Sequence, residues 1–418
     1  MGLHPVGGMT VANLHALHLK SVDELRAVAA AWDDLWWRSD AALPTARAEL
    51  IAQWVEQFQP RADFHALAVA DDDRWVAALP LAGRRVGRML SAGGLPGNFW
   101  SPSGNLLLDP NADADAAIDL LLATAGQLPW QLLWLNETVP ESPCWRALLR
   151  ACDRAGVTCA HHERFRVGRV EIDGDWELFQ KRMSKSHRQG MNRAARRLGC
   201  EGDVQFDACP HLGAEQVEPW LHAAFEVEDR SWKGEAGSSV LRTPGMFQFF
   251  VRQAQQLAEW GQLQVAALRL DEQTLAFVYG FRAKGVCFAH KIGYDPHFAA
   301  FSPGQLLFWR LLEQLHLDGD IRALDFMGPL TESLSRWRPA TYGVGRIALA
   351  LPRPLGRAAM YAYKHWWPRV RQFKQRPADG DRVGTPSDGR VTGGADIPVC
   401  RIPGADRNVC PTVVKNPG

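Results

Sequence analysis

Long apolar runs are missing from this 418-residue chain. No stretch of about 18 uncharged apolar residues occurs, so no bilayer-crossing helix is expected. The start, Met1 to Thr10, lacks the basic-then-apolar order of a secretory leader, and the expectation is a cytoplasmic protein, peripheral at most at the inner face of a membrane. Net charge is nearly absent too: 47 Lys+Arg stand against 46 Asp+Glu, a balance of +1 that excludes a globally basic nucleic-acid coat. Cysteine pairs at metal spacing are lacking. Cys144, Cys152, Cys159, Cys200, Cys209, Cys287, Cys400 and Cys410 include no CxxC, so no metal site and no disulfide framework is expected, and the thiols read as reduced and mostly buried. What is present is apolar mass, 46% hydrophobic residues with 17 tryptophans, enough for the cores of two domains.

The near-zero charge conceals a distribution. Residues 181–197 carry seven cations and no acid, and residues 353–376 carry seven more, again with no acid. Setting those 14 aside leaves 33 cations against 46 acids, a balance of −13 for the body. Residues 377–418 hold 13 Pro and Gly in 42 positions and no aromatic, a composition expected to be disordered.

The rest reads as an α+β protein of mixed sheet in two similar halves: residues 1–163 and 164–352, followed by the basic aromatic segment 353–376 and the tail 377–418. In the first half a strand (11–19) precedes helices at 22–38 and 46–58, a meander at 64–69, 75–81 and 86–91, a helix at 113–127, a strand at 131–136, a helix at 143–155 and a strand at 157–161. In the second, a strand (166–172) and one long helix (176–198) precede a strand at 204–208 and helices at 215–232 and 244–260. A meander (263–270, 275–282, 286–294), a helix at 303–317 and strands at 323–327 and 345–351 complete it. Helix, three-strand meander, helix, strand thus occurs twice.

Specific words sit on this frame: Lys185-Ser-His-Arg188 running to Arg193-Ala-Ala-Arg-Arg-Leu198, Arg230-Ser-Trp-Lys-Gly234, Gly293-Tyr-Asp-Pro296, Ser302-Pro-Gly304, and Leu324-Asp-Phe-Met-Gly328 ahead of Trp337. With them, residues 165–337 resemble the acyltransferase domain of the CelD-like proteins of cellulose and exopolysaccharide biosynthesis. That is a branch of the GNAT superfamily close to the FemAB-like double-GNAT transferases. The first half looks like the family's amino-terminal portion, with Ala31-Trp-Asp-Asp-Leu35, Trp54 and Leu79-Pro-Leu81. The resemblance implies two tandem GNAT-like domains and an acyltransferase that uses acetyl-CoA or another acyl-CoA, without metal.

An acyl-CoA transferase must hold a diphosphate, and a helix N-terminus does so with bare N–H groups and a positive dipole end. Ser302-Pro303-Gly304 reads as such an end, with Ser as cap, Pro at the first helical position and Gly clearing room for phosphate. The usual GNAT Gln/Arg-x-x-Gly-x-Gly/Ala is absent, and a plain capped helix is the other reading. The resemblance adds Gln305 to this site, and makes 286–294 the strand along which the thioester lies, polarised by backbone N–H groups at Lys291, Ile292 and Gly293. His290 and Tyr294, four apart on that strand, are expected on one face, as base and acid, or alternatively as ordinary strand residues. Asp325 interrupts an apolar run, so it either has a structural partner, such as an Arg of the basic helix, or points into the cleft to bind substrate. Glu228, beside Glu226 and Asp229, is a further candidate base.

On the 176–198 helix, Lys185, Arg188 and Arg193 lie among cations without the interleaved acids of an ordinary surface helix. They are read as facing an anionic substrate, with Trp232 and Trp337 as further substrate contacts. A Tyr-Lys pair that the family usually carries just before the Trp is missing here: the approach to Trp337 reads Glu332-Ser-Leu-Ser-Arg336. Segment 353–376 interleaves cations with Tyr361, Tyr363, Trp366, Trp367 and Phe373, as in a contact with anionic membrane or in packing on the second half, and Pro368 is expected to kink any helix there. The reading is direct transfer of an acetyl or short acyl group from acyl-CoA to an amine or hydroxyl of a sugar or envelope-glycan precursor. Alternatives are a Fem-like transferase fed by aminoacyl-tRNA, the one case in which nucleic acid is a partner, and a non-catalytic polysaccharide-assembly partner.

Overall fold

The computed structural model describes residues 13–87, 90–209 and 212–374; the expected disordered tail lies outside them. The first half opens with β1 (Leu14–Leu19), α1 (Val22–Ala27), α2 (Ala29–Arg38) and α3 (Ala48–Phe58), followed by β2 (Phe64–Asp71), β3 (Arg74–Val86), β4 (Leu90–Gly94) and the short β5 (Leu107–Leu108). Next come α4 (Ala114–Ala125), β6 (Leu132–Thr138), α5 (Pro143–Arg154) and β7 (Cys159–Glu171). The second half holds α6 (Trp176–Arg182), α7 (Lys185–Leu198), β8 (Val204–Cys209), α8 (Ala214–Asp229), α9 (Trp232–Glu235) and α10 (Met246–Glu259). After these come β9 (Leu263–Leu270), β10 (Gln273–Ala283), β11 (Val286–Tyr294), α11 (Pro303–Leu317), β12 (Ala323–Pro329), α12 (Glu332–Ser335), β13 (Ala340–Ala350) and α13 (Pro354–Lys374).

One continuous sheet carries both halves, in the order β1-β2-β3-β4-β6-β13-β7-β12-β11-β10-β9-β8, with β5 beside β3. Each half runs an antiparallel series, β1 to β4 or β8 to β11, that ends on a parallel neighbour, β6 or β12. Between the parallel neighbours lie β13 and β7, so the last strand of the chain is inserted next to the first half's β6. The strands expected at 157–161 and 166–172 are one strand, β7, and the boundary expected at 163–164 falls in its middle. Polar His161-His-Glu-Arg164 breaks the apolar pattern, yet β7 pairs with β13 almost throughout.

The helix expected at 176–198 is two. Met183 takes extended backbone (ψ 154) and is buried, and the Ser184 hydroxyl accepts the His187 N–H at 3.2 Å, restarting the helix as α7. Past Pro368 the helix α13 continues to Lys374, so the proline does not end it. Along its first turns Arg353 donates to the Trp130 and Leu128 carbonyls, Met360 is buried, and the Tyr363 hydroxyl meets His162 Nδ1 at 3.1 Å. This part of the basic aromatic segment therefore packs on the middle of the sheet, on β6, β7 and the second half's β13, while Tyr361 stays exposed.

A core shared by the halves sets their relation. Trp32, Trp36 and Trp54 from α2 and α3 share one apolar cluster with Phe225, Phe249, Phe250, Tyr279 and Phe281 from α8, α10 and β10. Lys284 fastens it: its ammonium donates to the Trp36 carbonyl and, at 2.7 and 2.8 Å, to those of Ser39 and Ala41 at the end of α2. The Arg47 guanidinium lies 3.4 Å from the Trp260 ring centroid and donates to Gln262. Separate clusters lie under α4 and α5 and under α7 and α11.

Candidate functional site

The site begins with a fault in β11. Pairing with β10 runs Phe288 to Phe281 and Ala289 to Gly280, then resumes with Lys291 opposite Tyr279, leaving His290 as the extra residue of a bulge. Gly280 permits it, because a Cβ there would sit 1.8 Å from the Phe288 carbonyl oxygen. The bulge shifts the phase of the strand. His290 and Lys291 both point to the face covered by α8 and α10, against Phe250, whereas Tyr294 packs with the cluster of α7 and α11. His290 and Tyr294 are thus on opposite faces, not one, since alternation holds only in an unbulged strand.

Next to the bulge the sheet parts. The parallel pairing of β11 with β12 covers only Val286–Phe288 against Ala323–Asp325, although the strands go on to Tyr294 and Pro329. The wedge between them leaves one edge of β11 from Ala289 onward without strand partners. β12 turns away at Met327, whose φ of 56° is left-handed. Asp325 holds that turn: Oδ1 accepts the Met327 N–H at 2.7 Å and Oδ2 accepts the Tyr342 hydroxyl of β13 at 2.8 Å. Burial pushes the Asp325 carboxyl above its ordinary range, against the pull of these bonds. Its partner is therefore a tyrosine and a backbone amide rather than an Arg of the basic helix, and it is buried rather than open to the cleft.

On one side of the wedge stands the α11 N-terminus. Ser302 is left-handed (φ 53°) and its side chain does not cap; its carbonyl accepts from Gln305 and Leu306 instead. A Cβ on Gly304 would meet nothing closer than Tyr294, at 3.6 Å, so protein packing does not demand glycine at this buried helix end, which faces Tyr294. Gln305 is buried, donates to Ser333 Oγ at 2.8 Å and keeps an unpartnered Oε1. The basic helix starts on the same side, where His187 lies edge-on to Trp337 at 5.0 Å and near Trp309 of α11. Lys185 and Arg193 are exposed, the Arg188 Nε is buried without a partner, and among the described residues none of the three forms an ion pair. Arg197 caps the group from beside Phe301. Trp337 is fully buried among His187, Phe308 and Trp309, so the structure makes it core and not a substrate contact.

Across the wedge lies a buried cluster built by both halves. Phe99 and Trp100 come from the loop after β4, and His290 Nε2 donates to the Trp100 carbonyl at 2.8 Å. Burial holds the His290 imidazole down to about 3, with Lys291 adding to the effect, so it is neutral and a weak base. The Tyr279 hydroxyl donates to Gln253, which donates to the buried Ser101 Oγ of the same loop. Glu228 is 2% exposed; Oε1 takes Lys233 Nζ at 2.5 Å and Oε2 the Val240 N–H at 3.0 Å. Trp232 beside it is 49% exposed.

Two groups belong to this frame that the sequence reading did not use: a residue it gave no role, and the side chain of one whose backbone N–H alone it used. Asp295, buried at the end of β11, accepts Arg230 Nε at 2.7 Å and both the backbone and ring N–H of His297. It joins the Arg230-Ser-Trp-Lys-Gly234 word to Gly293-Tyr-Asp-Pro296. The second is the Lys291 side chain, 8% exposed, its Nζ 4.6 Å from the Trp100 ring centroid and 5.3 Å from that of Phe250. Its signal was available: a charged residue inside Val286-Cys-Phe-Ala-His-Lys-Ile292, as anomalous as Asp325 in its own run. Among the described residues no cluster of His, Cys, Asp and Glu would hold a metal, and of six free thiols Cys152 and Cys287 are buried while Cys200 is exposed.

A parallel pair that parts beside a bulge, with a helix starting at its mouth, defines a GNAT-type fold, here in two tandem GNAT-like units. Residues 185–334 match the family described as Acetyltransferase (GNAT) domain, and the chain is a transferase built around it. FemX is similar at 10% identity over 83% of this chain and 100% of its own, with a TM-score of 0.56, a likeness that shows the fold. L-PGS from Bacillus licheniformis (16% identity, 76% and 95% covered, TM-score 0.46) and a tandem GNAT protein from the clavulanic acid biosynthesis pathway (13%, 82% and 100%, 0.42) also match. No curated protein matches the sequence.

Proposed function

We propose that an acyl-CoA lies in the wedge between β11 and β12, with its diphosphate on the α11 N-terminus, and that its acyl group passes directly to an amine or hydroxyl of a sugar or envelope-glycan precursor. The observation that carries the reading is the wedge itself: a β11 edge without a strand partner, whose N–H groups can polarise a thioester carbonyl, beside a helix N-terminus where Gly304 places no side chain. Lys185, Arg188 and Arg193, without ion pairs, supply positive charge on the diphosphate side. The acceptor enters from the opposite face, where Trp232, Phe99 and Trp100 offer aromatic surface. Glycan precursors of the CelD-like kind suit such an aromatic surface, and a cytoplasmic setting supplies acyl-CoA. Contact with anionic membrane through exposed Tyr361, Arg357 and Lys364 of α13 fits the same reading.

A second reading, transfer from aminoacyl-tRNA, is favoured by the unpaired cations of α7 and the fold shared with FemX. The two separate in a thermal-shift experiment. Acetyl-CoA at about 100 times its Kd is expected to raise the melting temperature by roughly 5 °C, from about 2.7 kcal/mol of linkage. Gly304→Glu, which sets a carboxylate at the helix end, is expected to abolish the shift. Stabilisation by tRNA and none by acetyl-CoA would select the second reading.

A further inference from the structure

Resting on that reading, we infer that Lys291 is the proton acceptor of the transfer, taking a proton from an acceptor ammonium that enters on the face of α8 and α10. The inference follows from which groups on that face are already committed. His290 Nε2 is held by the Trp100 carbonyl. Glu228 of α8 is spent on Lys233 of α9 and on the Val240 N–H. Tyr279 of β10 donates to Gln253 of α10, and burial lifts its hydroxyl well above the ordinary tyrosine range. Asp325 of β12 serves Met327 and Tyr342. Of the titratable groups named, only Lys291 Nζ makes neither hydrogen bond nor ion pair; it lies against the rings of Trp100, Phe250 and Phe99. The bulge at His290 puts it there, on the strand along which the thioester runs, three residues past Phe288, the last residue that β11 pairs with β12.

The surroundings suit a base. Burial lowers the Lys291 ammonium to about 8, with Glu228 pulling it back up and Lys233 pushing it further down. An ordinary lysine at pH 7 is unprotonated to less than about one part in a thousand, whereas one near 8 is unprotonated to about a tenth. The ring faces of Trp100 and Phe250 can hold the ammonium that forms. Lys291 Nζ accepts one proton from the acceptor ammonium. The freed amine attacks the thioester carbonyl, the C–N bond forms and the C–S bond breaks, and the second proton lost by nitrogen goes to the departing CoA thiolate. Lys291 then returns its proton to solvent.

The test uses the full chain, acetyl-CoA and two probe amines: glucosamine, largely protonated near neutral pH, and hydroxylamine, largely unprotonated. Lys291→Met is expected to lower kcat/KM for glucosamine by about a hundredfold or more. With hydroxylamine the deficit should shrink to about tenfold or less. Equal losses with both amines, or full rate with glucosamine in a variant that still binds acetyl-CoA, would overturn the inference and leave the coenzyme reading standing. Failure of acetyl-CoA to bind the unaltered protein would overturn the coenzyme reading itself. Independently of any acceptor, NMR of isotope-labelled methyl groups placed on the lysines, with Lys291→Met to assign the resonance, should show Lys291 titrating near 8; a midpoint in the ordinary lysine range would reject the inference.

Discussion

Ending the chain at Arg338 is expected to leave neither half folded, although the cut removes no helix or strand of the first half in sequence order. β13 occupies the middle of the sheet, with Ala350 to Gly345 against β6 and Leu349 to Ala340 against β7. Ile347 and Leu349 are fully buried under α4 and α5, and Ala348 and Ala350 lie on the other face beside Trp134 and Met360. Each large side chain lost removes about 2 kcal/mol of burial, and two long rows of backbone N–H and C=O groups lose their partners, together exceeding the 5–15 kcal/mol that holds a domain. Tyr342 goes too, and with it the hydroxyl that ties Asp325. The expected product is insoluble, or soluble without a cooperative melt. A first half that stays folded after the cut would mean that β13 is dispensable to it.

Two glycine-to-alanine changes are expected to have opposite outcomes, decided by what an added Cβ would meet. At Gly280 it would sit 1.8 Å from the Phe288 carbonyl oxygen and 3.3 Å from the His290 nitrogen, both backbone atoms that cannot yield without opening the bulge. Gly280→Ala should cost about 3 kcal/mol or more and displace Lys291 with the strand. At Gly304 the nearest atom is the Tyr294 ring at 3.6 Å, an ordinary contact, and alanine suits a helix better than glycine by up to about 1 kcal/mol. Gly304→Ala should therefore melt at or slightly above the unaltered protein. Chemical denaturation of the two variants side by side checks the pair, and equal stability would show that the bulge is not held by Gly280.

What could be read from the residues was local. The helix expected at 303–317 has those bounds in the structure, because Pro303 suits its first turn and the Leu306, Leu307, Leu311, Leu315 stripe keeps helical period up to the end. The second meander likewise follows its apolar alternation and its turns. Non-local pairing was out of reach: nothing in Gly345–Leu351 says that this strand belongs beside residues some 210 positions earlier, since register is fixed by partners and not by the strand's own pattern. The same limit governs the site. Asp325 and Lys291 both announced themselves as charges in apolar runs, but the tyrosine that satisfies one and the aromatic rings that receive the other come from elsewhere in the chain. His290 and Tyr294 were assigned a common face by a period of two that one inserted residue breaks.

The central claim is that the wedge between β11 and β12, and not its first-half counterpart between β4 and β6, receives the coenzyme. Hydrogen exchange of the full chain with and without acetyl-CoA tests it most directly. The account predicts slowed exchange at the free edge of β11 (289–294), at the start of α11 (304–306) and at the turned end of β12 (326–328). Unchanged exchange there, or protection appearing instead at 90–94 and 132–138, would contradict it.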